Sequence, residues 1–290
     1  MRQYSYAKIN LGLRILGKRK DGFHEIETVF QTISLKDEIE IRPLHNYIKL
    51  TTNSLFCPSD QTNLVYKAAS LLKRHSKTTK GCHIFLKKKI PVGAGLGGGS
   101  SNAATTLVAL NNIWNTQLSI KEQKKLAAQL GSDVPFFING GIALGQGRGE
   151  KLTPINTFPD YWGVLVCPNL QILSKWAYQQ LNFNLTKSFK RSKFSVLTGN
   201  FPKPDDWNSL LVNDFENIVF NAHPELRTIL KDLNQHGAFY ARMSGSGSTI
   251  FGLYEKEDSA HAAHNYFQKS YGSFIFKPVY QNKGVTETDL

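Results

Sequence analysis

Cysteine is scarce in this chain. Cys57, Cys82 and Cys167 are the three in 290 residues. They lie far apart, are odd in number and form no CxxC pair, which argues against a disulfide framework or a zinc site. Long apolar runs are missing too, and none approaches the roughly 18 residues that a membrane span needs. The opening MRQYSYAKINLGLRI alternates polar and apolar residues, whereas a secretion signal presents a continuous apolar stretch. A cytoplasmic protein without a membrane partner is expected. There is no repeat of fixed period and no low-complexity tract rich in Pro and Gly. What remains is 41% hydrophobic and 20% charged residues, the composition of an ordinary globular protein. The length is generous for one domain and comfortable for two.

The net charge of +13 fits two classes of partner, an anionic small molecule steered to a cleft or a nucleic acid. The basic runs Lys73–Lys77, Lys87–Lys89 and Lys187–Lys193 are short and scattered, the pattern of a solvated surface. His261 and His264 stand three apart with no third ligand nearby in sequence, so a solvated helix face is expected there and not a metal.

Tyr4–Ile15 alternates. Ala7, Ile9, Leu11, Leu13 and Ile15 share one face and Tyr4, Tyr6, Lys8, Asn10 and Gly12 the other, which predicts a half-buried strand. An Asp-Gly turn follows at Asp21–Gly22, then three strand-like stretches, IETVFQTISL, DEIEIRPL and YIKLTT. Asn63–His75 has a helical apolar stripe, and GCHIFLKKKI reads as a strand running into a glycine-rich bend. Helices are expected at Asn102–Trp114 and Ser119–Leu130. The second opens on Ser119 and Glu122, a capping-box pattern, and ends at Gly131. Ser132 is a good N-cap for a further turn, with Pro135 tolerated near its start.

Prolines and turn residues between Lys151 and Gly163 mark a domain boundary, dividing the chain into 1–155 and 156–290. The second half reads as strand Tyr161–Cys167, helix about Ser174–Leu181 and a Lys/Ser/Pro-rich loop about Asn182–Pro204. Helices follow, then strands Ala238–Met243 and Thr249–Tyr254, helix about Asp258–Tyr271 and strand Ser273–Val279. That order suggests an α+β sandwich.

The most informative stretch is IPVGAGLGGGSSNAA, from Ile90 to Ala104. Gly93, Gly95 and Gly98 satisfy the dinucleotide pattern letter for letter, but a Rossmann unit needs a strand after the helix and an acid at its end. Here a second helix follows, and Glu122 sits inside it. A Walker loop needs a lysine after its last glycine, and Ser100 and Ser101 stand there instead. The phosphate argument survives both exclusions. Glycines let the backbone approach an anion closely, and the following helix aims free N–H groups and its positive end at the same place. Ser100 and Ser101 add hydroxyls for a phosphate or a magnesium ion.

PVGAGLGGGSSNAA resembles the second motif of the GHMP small-molecule kinases, named for galactokinase, homoserine, mevalonate and phosphomevalonate kinases. YAKINLGL (Tyr6–Leu13) is similar to their first motif and ARMSGSGSTIFG (Ala241–Gly252) to their last. The three lie in family order and span nearly the whole chain. Three further stretches are KRKDGFHEIETVFQ (Lys18–Gln31), GSDVPFF (Gly131–Phe137) and VNDFE (Val212–Glu216). They resemble the branch whose members use ATP to phosphorylate the tertiary 2-hydroxyl of CDP-methylerythritol in non-mevalonate isoprenoid synthesis.

The resemblance implies an α+β fold of two domains. The N-terminal one is ribosomal-protein-S5-domain-2-like, the C-terminal one a ferredoxin-like α/β sandwich, and the active site lies in the cleft between them. It implies ATP as co-substrate, Mg2+ at an unidentified ligand, and a small-molecule acceptor with no nucleic acid, in a monomer or homodimer. The family's catalytic pair falls on Lys8 and Asp133. A carboxylate within reach of a hindered alcohol can orient it and take its proton late, as in other phosphoryl transfers, and a helix N-terminus stabilises its negative charge. Lys8 would hold positive charge beside the hydroxyl or the γ-phosphate, and Asn10 shares its strand face.

The triphosphate cradle falls on Pro91, Val92, Gly93, Ala94, Gly95, Leu96, Gly97, Gly98, Gly99, Ser100 and Ser101. Phe23 would stack on cytosine, His24 would hydrogen-bond its edge, and Tyr178 would supply a second ring. The family commonly carries Tyr where this chain has Phe23, so the π-face is kept and a hydroxyl lost. Ser244, Gly245 and Ser246 would close over the site with backbone and hydroxyl donors. Two other readings stay open at this stage, a GHMP kinase for a different alcohol and, remotely, a basic nucleic-acid-binding protein. Taken alone, an Asp in a first helical turn is usually a stabilising residue and a strand Lys is usually solvated.

Overall fold

The computed structural model describes residues 1–156, 159–181, 194 and 201–280. Most of the Lys/Ser/Pro-rich stretch expected as a loop, with the basic run Lys187–Lys193, lies outside the described residues.

The alternation at the N-terminus produces β1 (Arg2–Lys18), which turns at Asp21–Gly22 into β2 (His24–Leu44). Gly22 takes φ 83°, a left-handed conformation that costs glycine little, and the Asp21 carboxylate accepts the Phe23 N–H at 3.1 Å. The two segments expected as separate strands are one strand of 21 residues. It pairs with β1 on one side and with β4 (Gly81–Lys87) and β5 (Ile142–Gly147) along its length. β3 (Ile48–Thr52) lies parallel to β4, and β6 (Lys151–Pro154) closes the other edge, giving a six-stranded sheet. The β5–β6 hairpin was not legible in the sequence, because glycines interrupt IALGQG and Pro154 gives β6 the look of a linker.

Four helices belong to this sheet: α1 (Leu64–Ser76), α2 (Gly98–Ile113), α3 (Ile120–Leu130) and α4 (Val134–Asn139). Their apolar positions, Ala68, Leu72, Ala104, Leu107, Leu126 and Phe136, join Ile39, Ile41, Ile84 and Leu86 of the strands in one core. Each buried Leu or Ile contributes roughly 1.5–3 kcal/mol relative to exposure. The capping box at Ser119 and Glu122 forms as read. Ser132 does not cap α4; Asp133 occupies the N-cap position and makes no side-chain cap bond, which leaves its carboxylate for other partners.

The second sheet runs β10 (Gly272–Phe276), β7 (Trp162–Cys167), β9 (Ile250–Tyr254), β8 (Tyr240–Met243), all antiparallel. One face packs Val164, Val166 and Ile250 under α8 (Pro224–Gln235) and α9 (Glu257–Phe267). The short helices α5 (Ser174–Gln179), α6 (Trp207–Leu210) and α7 (Glu216–Ala222) precede them. The opposite face sends Leu165, Phe251 and Leu253 into a cluster with Ala7, Ile9 and Leu11 of β1. The two sheets are therefore welded along β1, and the fold is α+β.

β1 departs from strict alternation at one place that matters. Asn10 pairs with Phe30 and Gly12 with Val29, so Leu11 is an extra residue on β1. Such a bulge re-aims the side chains that follow it. Leu11 and Gly12 both face the inter-sheet cluster, where a Cβ on Gly12 would come within 2.8 Å of the Phe194 ring. Leu13, expected on the face opposite Lys8 and Asn10, lines the same cleft as they do.

Candidate active site

The sheets leave a cleft of about 940 Å³ at their junction. Its floor is built by β1. Lys8 and Asn10 are both buried, and the Lys8 ammonium donates to Asn10 Oδ1 at 2.5 Å and to the Gly95 carbonyl at 3.0 Å. The Asn10 amide donates to Thr28 Oγ1 at 2.7 Å, and Thr28 donates in turn to the Gly12 carbonyl at 2.7 Å. That chain fixes which way the amide of Asn10 points. Asp133 arrives from the start of α4, with its Oδ2 at 3.6 Å from Lys8 Nζ. Burial pulls the Lys8 ammonium below the ordinary lysine range, and the Asp133 charge opposes that shift.

The plain expectation for a strand lysine, a solvated charge, is wrong for Lys8. Its stem runs under Gly97, where a Cβ would stand 3.1 Å from Lys8 Cε and 2.8 Å from the Phe137 ring. Gly93, Gly95 and Gly97 all have positive φ, at 71°, 77° and 68°. Gly97 is the N-cap of α2, whose first turn carries no acidic side chain and no side-chain cap. The first-turn N–H groups have no helical acceptors and sit at the positive end of the helix.

The two glycine loops interlock. A Cβ on Gly95 would collide with the Ser244 and Gly247 carbonyls, so only glycine permits the contact. Ser244 Oγ donates to the Gly95 carbonyl at 3.0 Å and accepts from Asn10 N at 3.2 Å. Gly245 lies against Asn10 Oδ1, and Ser246 Oγ meets Ser174 Oγ at 2.8 Å.

The sequence matches the GHMP kinases N terminal domain over residues 63–141 and the GHMP kinases C terminal domain over residues 200–273. It is 42% identical over 265 residues to a 4-diphosphocytidyl-2-C-methyl-D-erythritol kinase of Clostridioides difficile, covering 90% of this chain and 88% of the relative. A kinase of the same name from Syntrophus aciditrophicus is 41% identical over 259 residues, covering 89% of this chain and 91% of the relative. The chain belongs to the GHMP kinase family. A crystal structure described as 4-(cytidine 5'-diphospho)-2C-methyl-D-erythritol kinase superposes with a TM-score of 0.80 at 31% identity, covering 96% of this chain and 99% of that one. A homoserine kinase from Cytophaga hutchinsonii shares the fold at a TM-score of 0.73 and 17% identity. The protein is thus an ATP-dependent kinase.

In this GHMP kinase Lys8, Asn10, Phe23, His24, Gly95, Gly97, Asp133, Tyr178, Gly245 and Ser246 line one cleft. Pro91, Val92, Gly93, Ala94, Leu96, Gly98, Gly99, Ser100, Ser101 and Ser244 do not. Ala94 and Leu96 point into the inter-sheet core. Ser101 is buried, with its hydroxyl bonded to Ser5 Oγ at 2.8 Å, so of the two serines only Ser100 keeps an accessible side chain. Tyr178 is stacked on His24 at 4.8 Å and 17°, while Phe23 is 51% exposed with Arg148 over its ring at 4.6 Å. Burial and the nearby Lys18 lower the His24 pKa, which favours the neutral ring.

Several cleft residues were missed in the sequence. Lys18, Arg148 and Lys175 bring cations to the aromatic end, and single basic residues carry no signal among so many. VNDFE acts as a buckle for the second glycine loop. Asn213 Nδ2 donates to the Met243 and Gly245 carbonyls at 2.7 and 2.8 Å, and Glu216 Oε1 accepts Met243 N at 2.9 Å. The motif was visible as a match, but its role needed coordinates.

Proposed function

We propose that this kinase transfers the γ-phosphoryl group of ATP to the tertiary 2-hydroxyl of 4-diphosphocytidyl-2-C-methyl-D-erythritol, giving the 2-phosphate and ADP for isoprenoid synthesis. The observation that carries the reading is the likeness to kinases of that name over about nine-tenths of the chain. The cleft supports it, because it sets a carboxylate and an ammonium 3.6 Å apart beside an aromatic and cationic end suited to a cytidine diphosphate. The chain works in the cytoplasm as a monomer or homodimer, divided into domains 1–155 and 156–290.

In this reading Asp133 orients the hydroxyl and accepts its proton as the bond to phosphorus forms. Lys8 holds positive charge beside the transferring group, and its bonds to Asn10 and Gly95 keep it from swinging away. Pre-aimed charge in a dry site is worth far more than the same charge in water. The backbone from Pro91 to Ser101 cradles the triphosphate. Magnesium, carried in with ATP, would neutralise phosphate charge there. Ser100 would be the loop hydroxyl nearest to hand for that ion. Phe23 and Tyr178 flank the base and His24 reads its edge. Because His24 and Tyr178 are stacked on each other, base entry requires one of these rings to move.

Purified protein should release ADP with CDP-methylerythritol and not with mevalonate or homoserine, and phosphorus NMR should show a new phosphomonoester. Transfer to one of the other alcohols in place of CDP-methylerythritol would overturn the substrate assignment.

A further inference from the structure

Beneath the first glycine loop lies a buried cluster that the reaction itself does not use. Asp37 of β2 is completely enclosed, yet its carboxylate is surrounded by donors. Oδ1 accepts the backbone N–H of Lys89 at 2.7 Å and of Ile90 at 2.8 Å. Oδ2 accepts the Lys88 ammonium and, at 2.9 Å, the Asn102 amide. Lys88 Nζ also donates to Asn102 Oδ1 at 3.1 Å, and Asn102 donates to Ser5 Oγ at 2.9 Å.

The donors come from two places with the glycine loop between them. Lys88, Lys89 and Ile90 are the exit from β4, and Asn102 is in the opening turns of α2. The Lys88 ammonium sits against that first turn, where a Cβ on Gly98 would come within 3.1 Å of it and 2.9 Å of Ile90. Gly98 therefore has a packing reason to be glycine that is separate from any ligand.

We infer that Asp37 is a positioning residue for the nucleotide loop, holding its two ends with one carboxylate so that the backbone amides between them stand ready for a triphosphate. The physical need is clear. A glycine-rich segment loses more conformational freedom on ordering than any other, and a loop ordered only by its ligand charges that loss against affinity. A buried ion pair is seldom a net source of stability, since apolar residues of similar volume often do as well or better. Fixing the two ends of the loop is what such residues cannot reproduce.

The inference rests on the reading that this loop takes ATP, and the test keeps the two apart. Binding of a non-hydrolysable ATP analogue is measured by calorimetry on the wild-type chain, on Asp37→Asn, and on the double variant Asp37→Leu with Lys88→Met. The double variant removes both charges, so neither is buried alone, but the Lys89 and Ile90 N–H groups and the Asn102 amide lose their acceptor, so it is expected to stay folded and to melt below the wild-type temperature. Its analogue affinity should nonetheless fall about ten-fold or more, the size of effect that a small misplacement produces. In turnover, the KM for ATP should rise by a similar factor while the KM for the acceptor stays within about two-fold. A merely structural role would move both KM values together or neither. A well-folded double variant that binds the analogue as the wild type does would overturn the inference alone. A wild-type chain that does not bind the analogue would overturn the ATP reading of the loop and this inference with it.

Discussion

Lys8 and Asp133 face each other across 3.6 Å, and the ammonium makes its shorter bonds elsewhere. The ammonium bonds Asn10 and the Gly95 carbonyl, while the carboxylate, 35% exposed, looks into the cleft. The pair is close enough for each charge to stabilise the other and open enough for a hydroxyl to meet the carboxylate.

Replacing Asp133 by Asn keeps shape and removes the acceptor. The Asp133→Asn protein should lose about 10²- to 10⁴-fold in kcat, the range typical of a general base, with the KM for ATP little changed. Coupled ADP-release kinetics read both numbers. Wild-type turnover in this variant would remove Asp133 from the role of base.

The lowered pKa of Lys8 gives a pH signature. The ammonium is the useful form, so activity is present below the depressed pKa and lost as pH rises through it. The alkaline limb of kcat should therefore lie below the ordinary lysine value of 10.5, and Lys8→Met should abolish that limb together with most of the rate. The stability effect has the opposite sense. The unfolded chain holds this proton more tightly, so folding gains from Lys8 as pH rises from the folded pKa towards 10.5. An alkaline limb that survives unchanged in Lys8→Met would assign the titration to another group.

Gly95→Ala tests the contact between the glycine loops. The residue has φ 77°, and its added methyl would meet the Ser244 and Gly247 carbonyls. About 1–3 kcal/mol of destabilisation is expected from the backbone strain alone, with activity lost as the loops part. Urea denaturation of the variant beside Gly99→Ala decides it, because the nearest neighbour to a methyl on Gly99 is Leu64 at an ordinary 3.6 Å. Equal stability of the two variants would show that the loops do not need this approach.

Phe23→Ala and Tyr178→Ala should each weaken the cytidylyl substrate by about 1–3 kcal/mol, by analogy with base stacking on aromatic side chains, and leave the KM for ATP alone. Phe23→Tyr should do no harm. If Phe23→Ala leaves the substrate KM unaltered, Arg148, which covers that ring at 4.6 Å, would be the better candidate for that end of the slot.

The elements built on strong periodicity were legible in advance: β1, α1, α3 with its capping box, and the order of the second half. The proposed roles of Lys8 and Asp133 came only from family resemblance, because neither a strand lysine nor an N-terminal helix aspartate is distinctive by itself. The burial of Lys8 could not be foreseen, since it depends on Gly97 being far away in sequence and small. The β5–β6 hairpin was hidden by its own glycines and Pro154. Asn213 and Asp37 were hidden for a different reason. Each acts by bonding backbone brought close only by the fold, and such a partner leaves no mark on the pattern around it.

The extra residue at Leu11 has a wider meaning. It is a change of phase within a single strand. Before it, β1 presents Lys8 and Asn10 to the cleft; after it, the same strand presents Leu13. In a regular strand Leu13 would stand on the far side and Gly12 beside Asn10. One inserted residue thus lets a continuous backbone carry a reactive polar floor and an apolar wall end to end, on the same side. The wall can be altered to suit another acceptor without disturbing the register that holds the ammonium, whereas deleting the insertion would exchange the faces of everything downstream.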